Sequence, residues 1–130
     1  MRILFFIFFI ILNSSLLAQF GLTKSQVVNK NGTCYKYGKS KDDIEFVSYT
    51  KNEESEDYIR TTYYFSKTNG LCDLVAIVQY KEKANFWIQY FDYSYKRDRY
   101  MIWRDYTTRI SCSVQIEGNY VIIYEYWQPK

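Results

Sequence analysis

The chain has 130 residues, with 17 basic and 14 acidic side chains and a formal net charge of +3. So even a balance, with no basic stripe, argues against a nucleic-acid partner. The absence of any His removes His-dependent triads, His metal ligands and His proton shuttles. The five Gly form neither a GxGxxG nor a GxxxxGK[ST] phosphate loop, and there is no GxSxG nucleophile elbow. No cofactor is expected.

Met1-Arg2, an unbroken apolar run over residues 3–12 and a polar break ending in Ala18 form the three-part pattern of a secretory signal peptide. The apolar run falls short of the about 20 residues a membrane span needs. Cleavage between Ala18 and Gln19 is expected. It leaves residues 19–130 as one small domain, secreted or periplasmic, with no stable membrane anchor. Position 19 is Gln rather than Cys, so lipid attachment there is chemically excluded.

Residues 20–31 open on Gly21-Leu22-Thr23-Lys24-Ser25-Gln26-Val27. Thr23 followed three residues later by Gln26 is a capping box, and it predicts a short helix that Gly32 ends. Asn31-Gly32-Thr33 is a glycosylation sequon in a eukaryotic host. This opening, with a Gly five residues after Val27, resembles that of the BamE/SmpA outer-membrane assembly lipoproteins and the related β-lactamase-inhibitor-like domains. The chain is also similar to small exported proteins of Bacteroidetes. The resemblance covers residues 21–34. It implies a capped helix packed on an antiparallel sheet; the motif is mostly helix-capping chemistry, so it argues for a fold, not a function. Cys34 stands where those families usually place Pro, and the lipidated Cys of the assembly lipoproteins has no counterpart.

Residues 36–43 are polar and read as a loop, and residues 44–50 read as a strand. Residues 51–57 are acidic but lack the ligand spacing of a calcium loop, so a solvated hairpin loop is expected. Residues 58–66 alternate: Ile59, Thr61, Tyr63 and Phe65 on one face, Arg60, Thr62, Tyr64 and Ser66 on the other. Asn69-Gly70 marks a turn. Residues 71–80 read as a central strand with Cys72, Leu74, Ala76, Val78 and Tyr80 on one face. Ala84, Trp87, Ile88, Phe91 and Tyr95 fall at helical spacing, which predicts a helix over residues 82–95. Lys96-Arg97-Asp98-Arg99 reads as a solvated helix end or loop, and residues 100–104 as a short strand.

Residues 108–127 form a hairpin about Gly118-Asn119. A two-residue loop, which has the better turn chemistry, places Glu125 on the core side opposite Cys112 and leaves Tyr120, Tyr124 and Tyr126 on an open face. A three-residue loop shifts the register by one and buries those tyrosines. The expected architecture is α+β in two layers: an antiparallel sheet of about four to five strands, with a short N-terminal helix and one longer helix on one face.

Cys34, Cys72 and Cys112 allow three intramolecular pairings, and the odd count leaves at least one thiol over. Tyrosine dominates the aromatic residues, 15 of them in the chain, and suits half-buried faces and wet interfaces. The expected role is therefore a small exported binding or envelope-assembly module, not an enzyme. Its candidate surface is Arg60, Tyr64, Tyr120, Tyr124 and Tyr126, and it would dock a protein, peptide or glycan. A structural envelope protein is one alternative. Another is a small hydrolase using two carboxylates, drawn from Asp73, Asp92, Asp105, Glu117 and Glu125.

Overall fold

The computed structural model describes residues 19–33 and 35–128. The expected signal peptide, the Ala18 side of its cleavage site and Cys34 lie outside them. Eight strands form one antiparallel sheet: β1 (Lys36–Lys39), β2 (Glu45–Lys51), β3 (Ile59–Phe65), β4 (Cys72–Tyr80), β5 (Lys96–Arg99), β6 (Ile102–Asp105), β7 (Ile110–Glu117) and β8 (Tyr120–Trp127). Their order across the sheet is β1-β2-β3-β4-β8-β7-β6-β5. The helices are short: α1 (Lys24–Asn31) before β1, and α2 (Ala84–Ser94) after a 3-10 turn at Lys81–Lys83.

This corrects the expected fold class. The protein is mostly β, with one eight-stranded sheet in place of a two-layer α+β fold of four to five strands. The strands not expected are the two at the sheet edges. β1 (Lys-Tyr-Gly-Lys) and β5 (Lys-Arg-Asp-Arg) carry too little apolar alternation to announce themselves, because an edge strand has little to bury. Charge on an edge also discourages pairing with another chain. Lys96-Arg97-Asp98-Arg99 is thus a strand, not a helix end or loop.

α1 starts as its sequence dictates. Thr23 Oγ1 accepts from the Gln26 amide at 3.3 Å, and Gln26 Oε1 accepts from the Thr23 amide at 2.9 Å. Gly32, at φ 101°, closes the helix by donating its N–H to Val28 O. The helix buries Val27 against the sheet. Ahead of it, the Gly21 N–H donates to Cys72 O of β4, the Cys72 N–H donates to Leu22 O, and Phe20 stacks on Trp127. Gln19 is buried and accepts from the Asn31 side-chain amide at 3.1 Å.

α2 turns Ala84, Trp87, Tyr90 and Phe91 onto the same sheet face. Trp87 donates its indole N–H to Gln79 of β4 at 2.7 Å. Phe91 meets Trp103 of β6 at 5.2 Å between ring centroids. Buried rings of this size each contribute about 2 kcal/mol by leaving water. Both helices therefore sit on one face, above Val47, Tyr63, Val75, Ile77, Cys112, Val114, Val121 and Ile123.

β4 departs from simple alternation. Phe65 pairs with Cys72 and Tyr64 with Leu74, so Asp73 is an extra residue that shifts the register. The bulge puts Cys72 on the helix-covered face with Val75 and Ile77. Leu74, Ala76, Val78 and Tyr80 take the opposite face, so Cys72 does not share their side as the alternation predicts.

The closing hairpin adopts the two-residue loop. Glu117 pairs with Tyr120, Cys112 with Glu125 and Ile110 with Trp127. Gly118 has φ 60°, a left-handed conformation that a Gly at the first central position of a two-residue turn supplies without strain.

Candidate functional site

The sheet face away from the helices is built by β2, β3, β4 and β8. Directly paired residues point the same way, so the ladders define its rows. Phe46, Tyr64, Leu74 and Tyr126 form one row. Ser48, Thr62, Ala76 and Tyr124 form the next, and Thr50, Arg60, Val78 and Ile122 a third. Tyr80 pairs with Tyr120 at the end. All five candidate residues, Arg60, Tyr64, Tyr120, Tyr124 and Tyr126, thus lie on this one face. β4 separates the β3 pair from the β8 tyrosines, which sets them roughly 10 Å apart at the backbone.

The rings gather into two groups. Tyr80 stacks on Tyr120 at 5.5 Å and 19°, and Tyr58 reaches both, at 5.7 and 6.4 Å. Phe46 lies 5.6 Å from Tyr64. Partial burial raises the Tyr64 hydroxyl above its ordinary pKa. Tyr124 adds to the rise and the Arg60 guanidinium opposes it. A concavity of about 640 Å³ runs between the groups, with Arg60, Thr62, Tyr64 and Tyr80 among its walls and Lys36, Glu53 and Glu54 also lining it. Its floor carries a hydroxyl pair, Ser48 and Thr62, 3.0 Å apart. Sequence reasoning missed Phe46, Tyr58 and Tyr80. The phase of Tyr80 with Ala76 and Val78 carried the signal, but those positions read as core.

The candidate carboxylates are scattered. Glu117 is exposed at the hairpin end. Asp92 Oδ1 accepts from Trp103 Nε1 at 2.8 Å, and both its oxygens accept from Arg97, at 3.0 and 2.9 Å. Asp73 and Asp105 line a second concavity of about 630 Å³, with Arg104, Arg109, Tyr126 and Trp127. Desolvation raises the Asp73 carboxyl above the usual carboxylate range. Asp105 holds its own turn, accepting from the Thr107 amide at 2.9 Å and the Thr108 hydroxyl at 2.8 Å.

Glu125 lines neither concavity. It is 0% exposed, on the helix-covered face between Val75 of β4 and Cys112 of β7, and neither carboxyl oxygen has a hydrogen-bond partner. Burial alone pushes its pKa from 4.5 up to about 8. Cys72 and Cys112 are buried free thiols. Burial pushes the Cys72 thiol up to about 12 and that of Cys112 higher still. Neither is an available nucleophile in the closed fold.

Among the described residues, no group of three or more His, Cys, Asp or Glu is placed to hold a metal ion, and no helix is long and apolar enough to cross a membrane. No family model, curated protein or solved structure matches the chain.

Proposed function

We propose that this protein is a small exported binding module whose helix-free sheet face docks a protein partner. The observation that carries the reading is the composition of that face. Tyr58, Tyr64, Tyr80, Tyr120, Tyr124 and Tyr126 surround Leu74, Val78 and Ile122, with Arg60 among them and, among the described residues, no helix over them. Tyr and Arg over a partly exposed apolar centre is the make-up of interface hot spots. Export rests on the sequence pattern of residues 1–18. The packing of Gln19 at the start of the described domain is compatible with cleavage before it. The capped helix on an antiparallel sheet keeps the resemblance to envelope-assembly domains open as a source of partners.

The test is capture from the native envelope fraction by immobilised protein. The wild type should retain a protein that Tyr124→Ser/Tyr126→Ser does not, while the thermal midpoint stays within a few degrees. Equal capture by both, or retention of glycan alone, would refute the reading. A large fall in the midpoint would show that these rings hold the fold.

One observation keeps a hydrolase as the second reading: Asp73 and Asp105 share a concavity. It predicts a hydrolytic activity that Asp73→Asn abolishes, with capture by the tyrosine face unchanged.

A further inference from the structure

Glu125 sits near the middle of the sheet, on β8, which together with β4 forms the central strand pair. The groups around it are all neutral or acidic. β7 presents Cys112, β3 presents Tyr63, α2 presents Tyr90 and β4 presents Val75. One contact further out, Cys72 and Tyr49 act on Tyr63, and Asp105 acts on Cys112. No basic group forms an ion pair with Glu125 among the described residues; Arg97, on the flanking edge strand, is held by Asp92. Among the described residues a charge on Glu125 would therefore have no counterion and no hydrogen bond in the closed form. Such a charge is too costly to keep dry.

The walls of this site differ in strength. On the sheet side, β8 is hydrogen-bonded along its length to both β4 and β7. The other wall is α2, 11 residues long. It has no side-chain cap at its N-terminus, no acid in its first turn and no base in its last. Its dipole is thus left without charged support. Side-chain bonds tie it down at Trp87–Gln79 and Asp92–Trp103.

We propose that Glu125 is a proton-held latch: the neutral acid lets α2 close on the sheet, and release of its proton accompanies the lifting of α2 and the entry of water. The closed form binds the proton and the open form releases it to solvent. The opening equilibrium therefore rises with pH, about tenfold per unit. The rise begins in the ordinary carboxylate range and levels off above about 8, where the closed form also ionises.

Hydrogen exchange of the whole protein from pH 5 to 9, corrected for the intrinsic rate, tests this. The α2 amides should lose protection about tenfold per unit up to about pH 8. Amides of β3 and β4 should stay better protected than those of α2 at every pH, since they exchange only through global unfolding, which shares the pH dependence of Glu125. Glu125→Gln and Glu125→Leu should flatten the α2 profile. In the wild type, carboxyl-carbon NMR should show Glu125 titrating near pH 8 in the closed form, a readout that needs no variant. The latch is overturned by a flat wild-type α2 profile, by variants that keep the wild-type slope, or by a Glu125 that titrates in the ordinary range. It is also overturned if the α2 amides are no less protected than those of β3 and β4, since the only opening that exposes Glu125 would then be unfolding of the whole sheet.

Discussion

Glu125 of β8 and Cys112 of β7 stand directly opposite each other beneath α2, two acids that burial holds in their protonated forms. The pair gives the stability of the protein an unusual pH dependence. The Glu125 pKa is raised on folding, so the native state binds a proton that the unfolded chain has released above pH 4.5. The Glu125 contribution is therefore most favourable below that value and declines by about 1.4 kcal/mol per unit. The decline stops near pH 8, where both states are ionised. Replacing Glu125 with Leu should stabilise the protein at both pH 5 and pH 7, because the neutral acid also lacks a partner, and the gain should be about 3 kcal/mol larger at pH 7. Denaturant titrations at the two pH values check this, and an equal gain at both would contradict it.

Cys72 and Cys112 should resist alkylation. Both are buried, and a thiol pushed well above its ordinary pKa offers little thiolate at neutral pH. Iodoacetamide followed by mass spectrometry should leave both unmodified in the native protein at pH 6 and label both in denaturant. Rapid native labelling of Cys72, away from α2, would show that the sheet itself opens.

Asp92 should matter to stability more than an exposed acid normally does. It accepts from the buried Trp103 indole as well as from Arg97. Asp92→Ala strands that indole N–H and should cost about 1–3 kcal/mol. Asp92→Asn keeps one acceptor oxygen and should cost less. Arg97→Ala removes the half-exposed ion pair and the guanidinium that lies 5.0 Å over the Trp103 ring, and should cost about 1 kcal/mol. Equal losses for Asp92→Ala and Arg97→Ala would mean that the ion pair, not the indole, sets the effect.

The stacked pair of Tyr80 and Tyr120 allows a similar comparison on the open face. Tyr120 is 42% exposed, so Tyr120→Ala should cost only about 1 kcal/mol, chiefly the ring contacts. Trp87→Ala, on the covered face, should cost about 3–5 kcal/mol. Chemical denaturation measures both, and similar losses would mean that the open face is part of the core.

The elements that sequence reading placed correctly are those whose local chemistry and burial agree. The Thr23–Gln26 box opened α1 where expected, and the Ile59–Phe65 alternation gave β3 its faces. Glycine chemistry favoured the hairpin register that the structure adopts, although it set Glu125 against a core. That conflict was visible in the residues, and it marks the proposed latch. The edge strands were not legible, since Lys36, Lys39, Lys96 and Arg99 are exposed and carry no apolar period. The bulge at Asp73 was also hidden: one extra residue reverses the faces of β4, and no residue type announces it. Of the candidate surface, the β8 tyrosines followed from the hairpin. Tyr58 and Tyr80 became neighbours only through pairing between distant strands.

The two charged edges have a consequence for how any partner is chosen. A strand that joins a sheet edge is recognised through its backbone, which nearly every sequence can supply. β5 presents Lys96, Arg97, Asp98 and Arg99, all exposed, and β1 is a four-residue strand with Lys at both ends. Edges of this kind are poor templates for strand addition. Approach over the rings leaves side chains as the only vocabulary, so selectivity would be written in the partner's residues rather than in its willingness to become a strand.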